Sequence, residues 1–115
     1  MVFTIDGEKT RAFDDAISFC KAGKGQNRVS IHIADVAPVI NPGSALDLEA
    51  RERVETTYVG DAAAFPMVPW ELIEGALSLK EGEERLAVTL SVVMNDNGVV
   101  DFSTAAYSLT VIKSA

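Results

Sequence analysis

The chain has 115 residues, 48% of them hydrophobic and 23% charged, with a mean hydropathy of +0.17 and a net charge of -7. That is the size and composition of one globular domain, not of a disordered segment, and no apolar run approaches the ~18 residues of a membrane span. No basic stretch followed by an apolar core opens the sequence, so the expectation is a cytoplasmic protein with no membrane partner.

Cys20 is the single cysteine and His32 the single histidine, which excludes an internal disulfide and a zinc site of the usual composition. Any metal would have to be held by oxygen. The charge is unevenly spread: residues 1–30 carry five basic and four acidic residues, and the remaining 85 carry five basic and thirteen acidic. The overall acidity argues against broad contact with nucleic-acid phosphates, whose affinity comes largely from Lys and Arg.

In chain order, "MVFTID" has the β-branched and aromatic content of a strand ending at Asp6-Gly7. "DAISFCK" (15–21) and "NRVSIHIAD" (27–35) alternate apolar and polar residues around the Gly-rich "AGKGQ", which predicts a hairpin. Val29, Ile31 and Ile33 share one face of its second strand, and Ser30, His32 and Ala34 the other. The period then changes. Ser44 with Asp47 resembles a capping box, Leu46, Ala50 and Val54 recur every four residues, and Asp47/Arg51 and Glu49/Arg53 are favourable pairs, predicting a helix over about 45–56. Pro66 and Pro69 predict an extended loop before a short helix near 70–77. The last third reads as a second hairpin, "RLAVTLSVVMN" and "VVDFSTAAYSLTVIK" about an Asn97-Gly98 turn, with Leu86, Val88, Leu90, Val92 and Met94 on one apolar face. The expected fold is α+β: a mixed, mostly antiparallel sheet with two β-hairpins and two short helices.

Three aspartates flank the first turn. Asp6 stands at a strand end while Asp14 and Asp15 return at the start of the next, so carboxylates from two backbone segments could converge on a hard divalent cation such as magnesium. Acidic residues also collect beside turns simply because they solvate well and bond backbone amides. Spacing alone does not choose between these.

The segment "FTIDGEKTRAFDDAIS" resembles the opening motif of the RNB catalytic domain of the ribonuclease II family. The likeness continues through "VSIHIADVAPVINPGSALDLEARERVETTYV", "FPMVPWELIEGALSL" and "RLAVTLSVVMNDNGVVDF", in the family's order and spacing. The resemblance implies an RNB-like segment over 1–115, roughly the first third of the family's catalytic domain, related to magnesium-dependent hydrolytic 3′–5′ exoribonucleases that release nucleoside monophosphates from single-stranded RNA. It implies that Asp6, Asp14 and Asp15 are catalytic, Mg2+-binding carboxylates and that Tyr58 stacks on an RNA base. Asp35 and His32 in "HIAD" also belong to the pattern, and are read as structural; Arg53 is explained as the partner of Glu49, and Trp70 as a core residue.

Two departures follow from the same comparison. Ala12 stands where the family pattern has a further aspartate, and a methyl group neither binds metal nor holds a water. The family's later arginines and acidic residue, and its flanking RNA-binding modules, have no counterpart in this chain. The isolated chain is therefore expected to be impaired or inactive as a nuclease. The alternative is a non-catalytic binding or structural module, self-associating as a homo-oligomer or docking a protein partner.

Overall fold

In the computed structural model, which describes residues 1–60 and 62–115, the chain forms β1 (Val2–Phe3), β2 (Asp15–Gly23), β3 (Gln26–Ala34), α1 (Ala45–Arg53), β4 (Thr57–Val59), β5 (Ala62–Phe65), α2 (Trp70–Ile73), β6 (Glu84–Asn95) and β7 (Val100–Lys113). Five strands make one sheet in the order β1-β2-β3-β6-β7, with every neighbouring pair antiparallel, and β4 and β5 make a separate hairpin. The two expected hairpins are present. Their turns have the required chemistry, Gly25 at φ 71° and Gly98 at φ 81°, with Asn95 Oδ1 accepting from the Asn97 and Val99 amides at 3.0 and 2.9 Å.

The sheet curls until its two edges meet at one end. Val2 of edge strand β1 bridges Ser114, just past edge strand β7, in parallel, and the Ala115 amide donates to the Val2 carbonyl at 2.8 Å. Closing so few strands leaves a narrow interior, in which most inward positions take small side chains. The inward face accordingly carries Ala16, Ser30, His32, Ala34, Ala87, Thr89 and Ile112, all buried, with Leu79 from the loop before β6 as the largest fully buried side chain. The more apolar face of each strand lies outside. Ile17, Ile31, Leu90 and Tyr107 form one cross-strand row there and Ile33, Val88 and Leu109 another, with Ile31 45% and Leu109 77% exposed. The accessible surface of 7730 Å² exceeds the ~6100 Å² of a compact chain of this mass, as an uncovered outer face requires.

Polar side chains are tolerated inside because they bond one another. Ser30 Oγ lies 2.7 Å from Ser91 Oγ. A longer ladder runs across four strands: Ser18 Oγ to His32 Nε2 at 2.9 Å, His32 Nδ1 to Thr89 Oγ1 at 2.8 Å, Thr89 Oγ1 to Thr110 Oγ1 at 2.6 Å, and Thr110 Oγ1 donating to the Ala87 carbonyl at 3.2 Å. The last bond orders the rest. Thr110 spends its hydrogen on the carbonyl, so Thr89 donates to Thr110, His32 donates through Nδ1–H to Thr89, and Nε2 accepts from Ser18. His32 is held as the neutral Nδ1–H tautomer, and burial lowers its pKa from the usual 6.5.

Several expectations are corrected. The opening strand ends at Phe3, not Asp6: its antiparallel pairing with β2 stops at Phe3 opposite Ile17, beyond which the chain leaves the sheet for the turn at Gly7–Thr10. The first helix stops at Arg53, three residues early, since Val54 adopts φ 68°. The second is a single turn: past Ile73 the Gly75 amide bonds Leu72 O in an i–3 pattern and the Leu77 amide reaches the same carbonyl. The stretch before Pro66, expected as an extended loop, holds the β4–β5 hairpin; Asp61, within that stretch, lies outside the described residues.

Candidate functional site

Past Phe3 the chain turns at Gly7–Thr10, the Thr10 amide bonding the Gly7 carbonyl at 3.0 Å, and returns through residues 11–14 into β2. This places Asp6 on one arm of the loop and Asp14 and Asp15 on the other. The Asp14 carboxyl is pushed up from the ordinary 3.8 by burial first, then by the negative charges of Asp15 and Asp6. The three aspartates are thus one electrostatic group. They do not converge on a point: among the described residues, no group of three or more His, Cys, Asp or Glu side chains is placed to hold a metal ion.

Asp14 opens onto a cleft of about 340 Å³ between the loop before β2, the segment after β3, α1, the β4–β5 hairpin and α2. Tyr58, 66% exposed on β4, shares that cleft with Asp14, and so does Ala12. Three positions singled out in the sequence, spread over 47 residues of chain, therefore surround one space. Asp6 and Asp15 are not in its lining. The remaining wall is mostly apolar, including Val36, Ile40, Met67 and Trp70, and among the described residues it contains no Lys or Arg.

Other residues take the following places. Asp35 Oδ1 accepts from the Ala37 amide at 3.3 Å, capping the turn after β3, and His32 lies in the interior ladder. Arg53 pairs with Glu49 at 2.5 Å and also donates to the Pro66 carbonyl at 2.8 Å, tying α1 to the loop that forms the cleft's far side. Trp70 is not in the core: it is half-buried in the cleft wall, with the Arg11 guanidinium 4.9 Å from its ring centroid. Arg11 also pairs with Glu74 just past α2.

From the sequence Asp47 reads as a helix-cap residue and the partner of Arg51. It does that work, accepting from the Gly43 amide at 2.7 Å and from Arg51 at 3.0 Å, bonds that hold its carboxyl below the usual range. It also lines the cleft, as a second carboxylate opposite the Asp14 segment. Nothing in its spacing could reveal this, whereas the apolar run "VAPVI" over 36–40, in an otherwise loop-like stretch, was a usable signal for the wall.

The fold and site together define an α+β domain whose partly closed sheet carries an acidic cleft rimmed by aromatic side chains. The chain belongs to the RNB family: the RNB domain matches residues 1–115 in full. It is 41% identical over 100 residues to ribonuclease R of Thermotoga maritima, covering 87% of this chain and 14% of that protein. Its structure is similar to that of Mycoplasma genitalium RNase R in complex with ribose methylated single-stranded RNA, with a TM-score of 0.89, 26% identity and 98% of this chain matched to 17% of the other. Yeast Ssd1, a pseudonuclease, shares the fold at a TM-score of 0.85 and 18% identity, over 98% of this chain and 13% of that one. The chain thus spans only about a sixth of these proteins or less.

Proposed function

We propose that this chain forms the base-gripping and carboxylate side of the active cleft of a magnesium-dependent, hydrolytic 3′–5′ exoribonuclease acting on single-stranded RNA in the cytoplasm. The observation that carries the reading is the meeting of Asp14 and Tyr58 in one cleft, with Asp6 and Asp15 close enough to raise the Asp14 pKa. An aromatic ring at the mouth of an apolar cleft stacks on any base, which suits an enzyme indifferent to sequence.

Magnesium fits the donor set in kind and in charge. All three groups are oxygen donors, and the Asp14 carboxyl, raised first by burial and then by the charges of Asp15 and Asp6, is one whose ionised form a divalent cation would favour. Asp6, Asp14 and Asp15 would hold it by drawing together from the separated positions they occupy here, and when bound it would supply an activated water and neutralise the phosphate. The chain's own contribution is otherwise positional: Tyr58 fixes the base, the apolar wall excludes water around it, and Asp14 sets the distance between base and carboxylates. Ala12 puts a methyl group in the cleft where the family pattern has a further aspartate, so the site is expected to bind metal weakly and turn over slowly.

The test is release of nucleoside monophosphate from an oligouridylate with magnesium, comparing the native chain, Ala12→Asp and Ala12→Asp/Asp14→Asn. Release by Ala12→Asp that the added Asp14→Asn abolishes supports the reading; oligouridylate that binds neither the native chain nor Ala12→Asp, with no release from any variant, defeats it. Ala12 and the exposed outer face of the sheet favour a second reading, a non-catalytic module that self-associates through the rows containing Ile31 and Leu109. A monomer in light scattering at high protein concentration would end that reading.

A further inference from the structure

We infer that Arg11 is a positioning residue that locks the Asp14-bearing segment directly to the aromatic wall of the cleft, beside the link through the sheet in which Arg85 Nε of β6 donates to the Gly75 and Ser78 carbonyls at 3.3 and 2.9 Å. The contacts alternate along the chain. Arg11 stacks on Trp70 and pairs with Glu74; Phe13, two residues on, donates its amide to Ser78 Oγ at 3.1 Å and accepts the Leu79 amide at 2.8 Å. Between and after these anchors, Ala12 and Asp14 face the cleft. Arg11 and Phe13 hold the segment, and the positions that carry the chemistry are the ones left over.

The other partner needs holding as well. α2 is four residues long, far below the length at which a helix is stable alone, and Arg11 touches both its first residue and the residue after its last. Arginine suits this role because its planar guanidinium can lie on an indole face and still direct N–H groups to a carboxylate; a lysine ammonium does one or the other well. Since Trp70 itself lines the cleft, its ring is where the segment carrying Asp14 is fastened to the opposite wall.

The proposal deepens the reading of the cleft as an RNA site and rests on it for its purpose, but its test has a separate arm. Arg11→Met and Arg11→Lys are made in the full chain. Trp70 is the single tryptophan, so its emission reports the stacked guanidinium directly. Arg11→Met is expected to shift that emission and to speed hydrogen exchange at the Phe13 and Leu79 amides about two- to fivefold, the weight of an exposed cation–π contact, with the β3–β6 amides unchanged. Arg11→Lys is expected in between, and oligouridylate affinity is expected to fall several-fold in the same order. Unchanged exchange at Phe13 and Leu79 in a folded Arg11→Met would overturn the proposal, as would uniform acceleration through the sheet, which would make Arg11 a general stability residue. Failure of the native chain to bind oligouridylate would defeat the RNA reading and leave the exchange result to decide the clamp.

Discussion

Replacing His32 by leucine removes the centre of the interior ladder while nearly keeping its volume, so the effect isolates the polar contribution. Two hydrogen bonds go, the 2.9 Å bond from Ser18 and the 2.8 Å bond to Thr89. Thr89, 3% exposed, keeps its bond to Thr110, but its remaining lone pairs and the Ser18 hydroxyl face leucine carbon. A lost bond of this kind is worth about 1 kcal/mol and a stranded buried polar group costs about 1–3 kcal/mol, so His32→Leu is expected to lose about 2–4 kcal/mol at pH 7.5. The pH dependence supplies an independent check. Burial lowers the folded pKa of His32 below 6.5, so the unfolded chain takes up the proton first as pH falls. The stabilisation that His32 provides is complete above 6.5 and declines below it toward the folded pKa, and the leucine variant has no such decline. Urea unfolding at pH 7.5 and 5.0 should therefore show the gap between native and variant chains narrowing at the lower pH. A loss under about 0.5 kcal/mol, or a gap that does not change with pH, would refute the ladder as a stabilising element and the neutral tautomer with it. Nitrogen NMR of His32 should find the proton on Nδ1.

Three further outcomes are expected. Gly75→Ala should destabilise by about 1–3 kcal/mol in the same urea assay, because a Cβ there would sit 2.3 Å from the Glu71 carbonyl oxygen and backbone, not a flexible tip, would have to yield. Asp14 has a raised folded pKa, so its stabilising contribution is present at low pH and is lost as pH rises from 3.8 through the folded value; Asp15→Asn, by removing the larger of the two repelling charges, should shrink that loss, read as a flatter stability profile across the carboxylate range. Since the cleft has no Lys or Arg among the described residues, a short oligouridylate should bind it with little dependence on salt, and Tyr58→Ala should weaken that binding by about 1–3 kcal/mol in a fluorescence titration; a steep salt slope would show that phosphate contacts dominate instead.

Much of this molecule is readable one segment at a time. Alternation over 15–21 and 86–94, the Gly25 and Asn97-Gly98 turns, and the Ser44/Asp47 cap are local features, decided by side-chain period and backbone freedom within a few residues, and the structure reproduces them. The motif order around Asp14 and Tyr58 likewise pointed to the family that the comparison shows. What local reading could not decide is direction. A period of two says that Ile31 and His32 lie on opposite faces, but not which face is inside; that was settled when Val2 met Ser114 and the sheet closed around an interior lined mainly by Ala, Ser and Thr, leaving Ile31, Leu90 and Tyr107 outside. The β4–β5 hairpin, the second role of Asp47 and the position of Trp70 under Arg11 depend in the same way on contacts between residues distant in the chain. The amino-acid sequence by itself determined the elements, their alternation and the chemical inventory of the site, because those follow from neighbours along the backbone; the tertiary structure alone decided which face is buried and which of the aspartates opens onto the cleft, because closure and convergence are properties of the whole sheet.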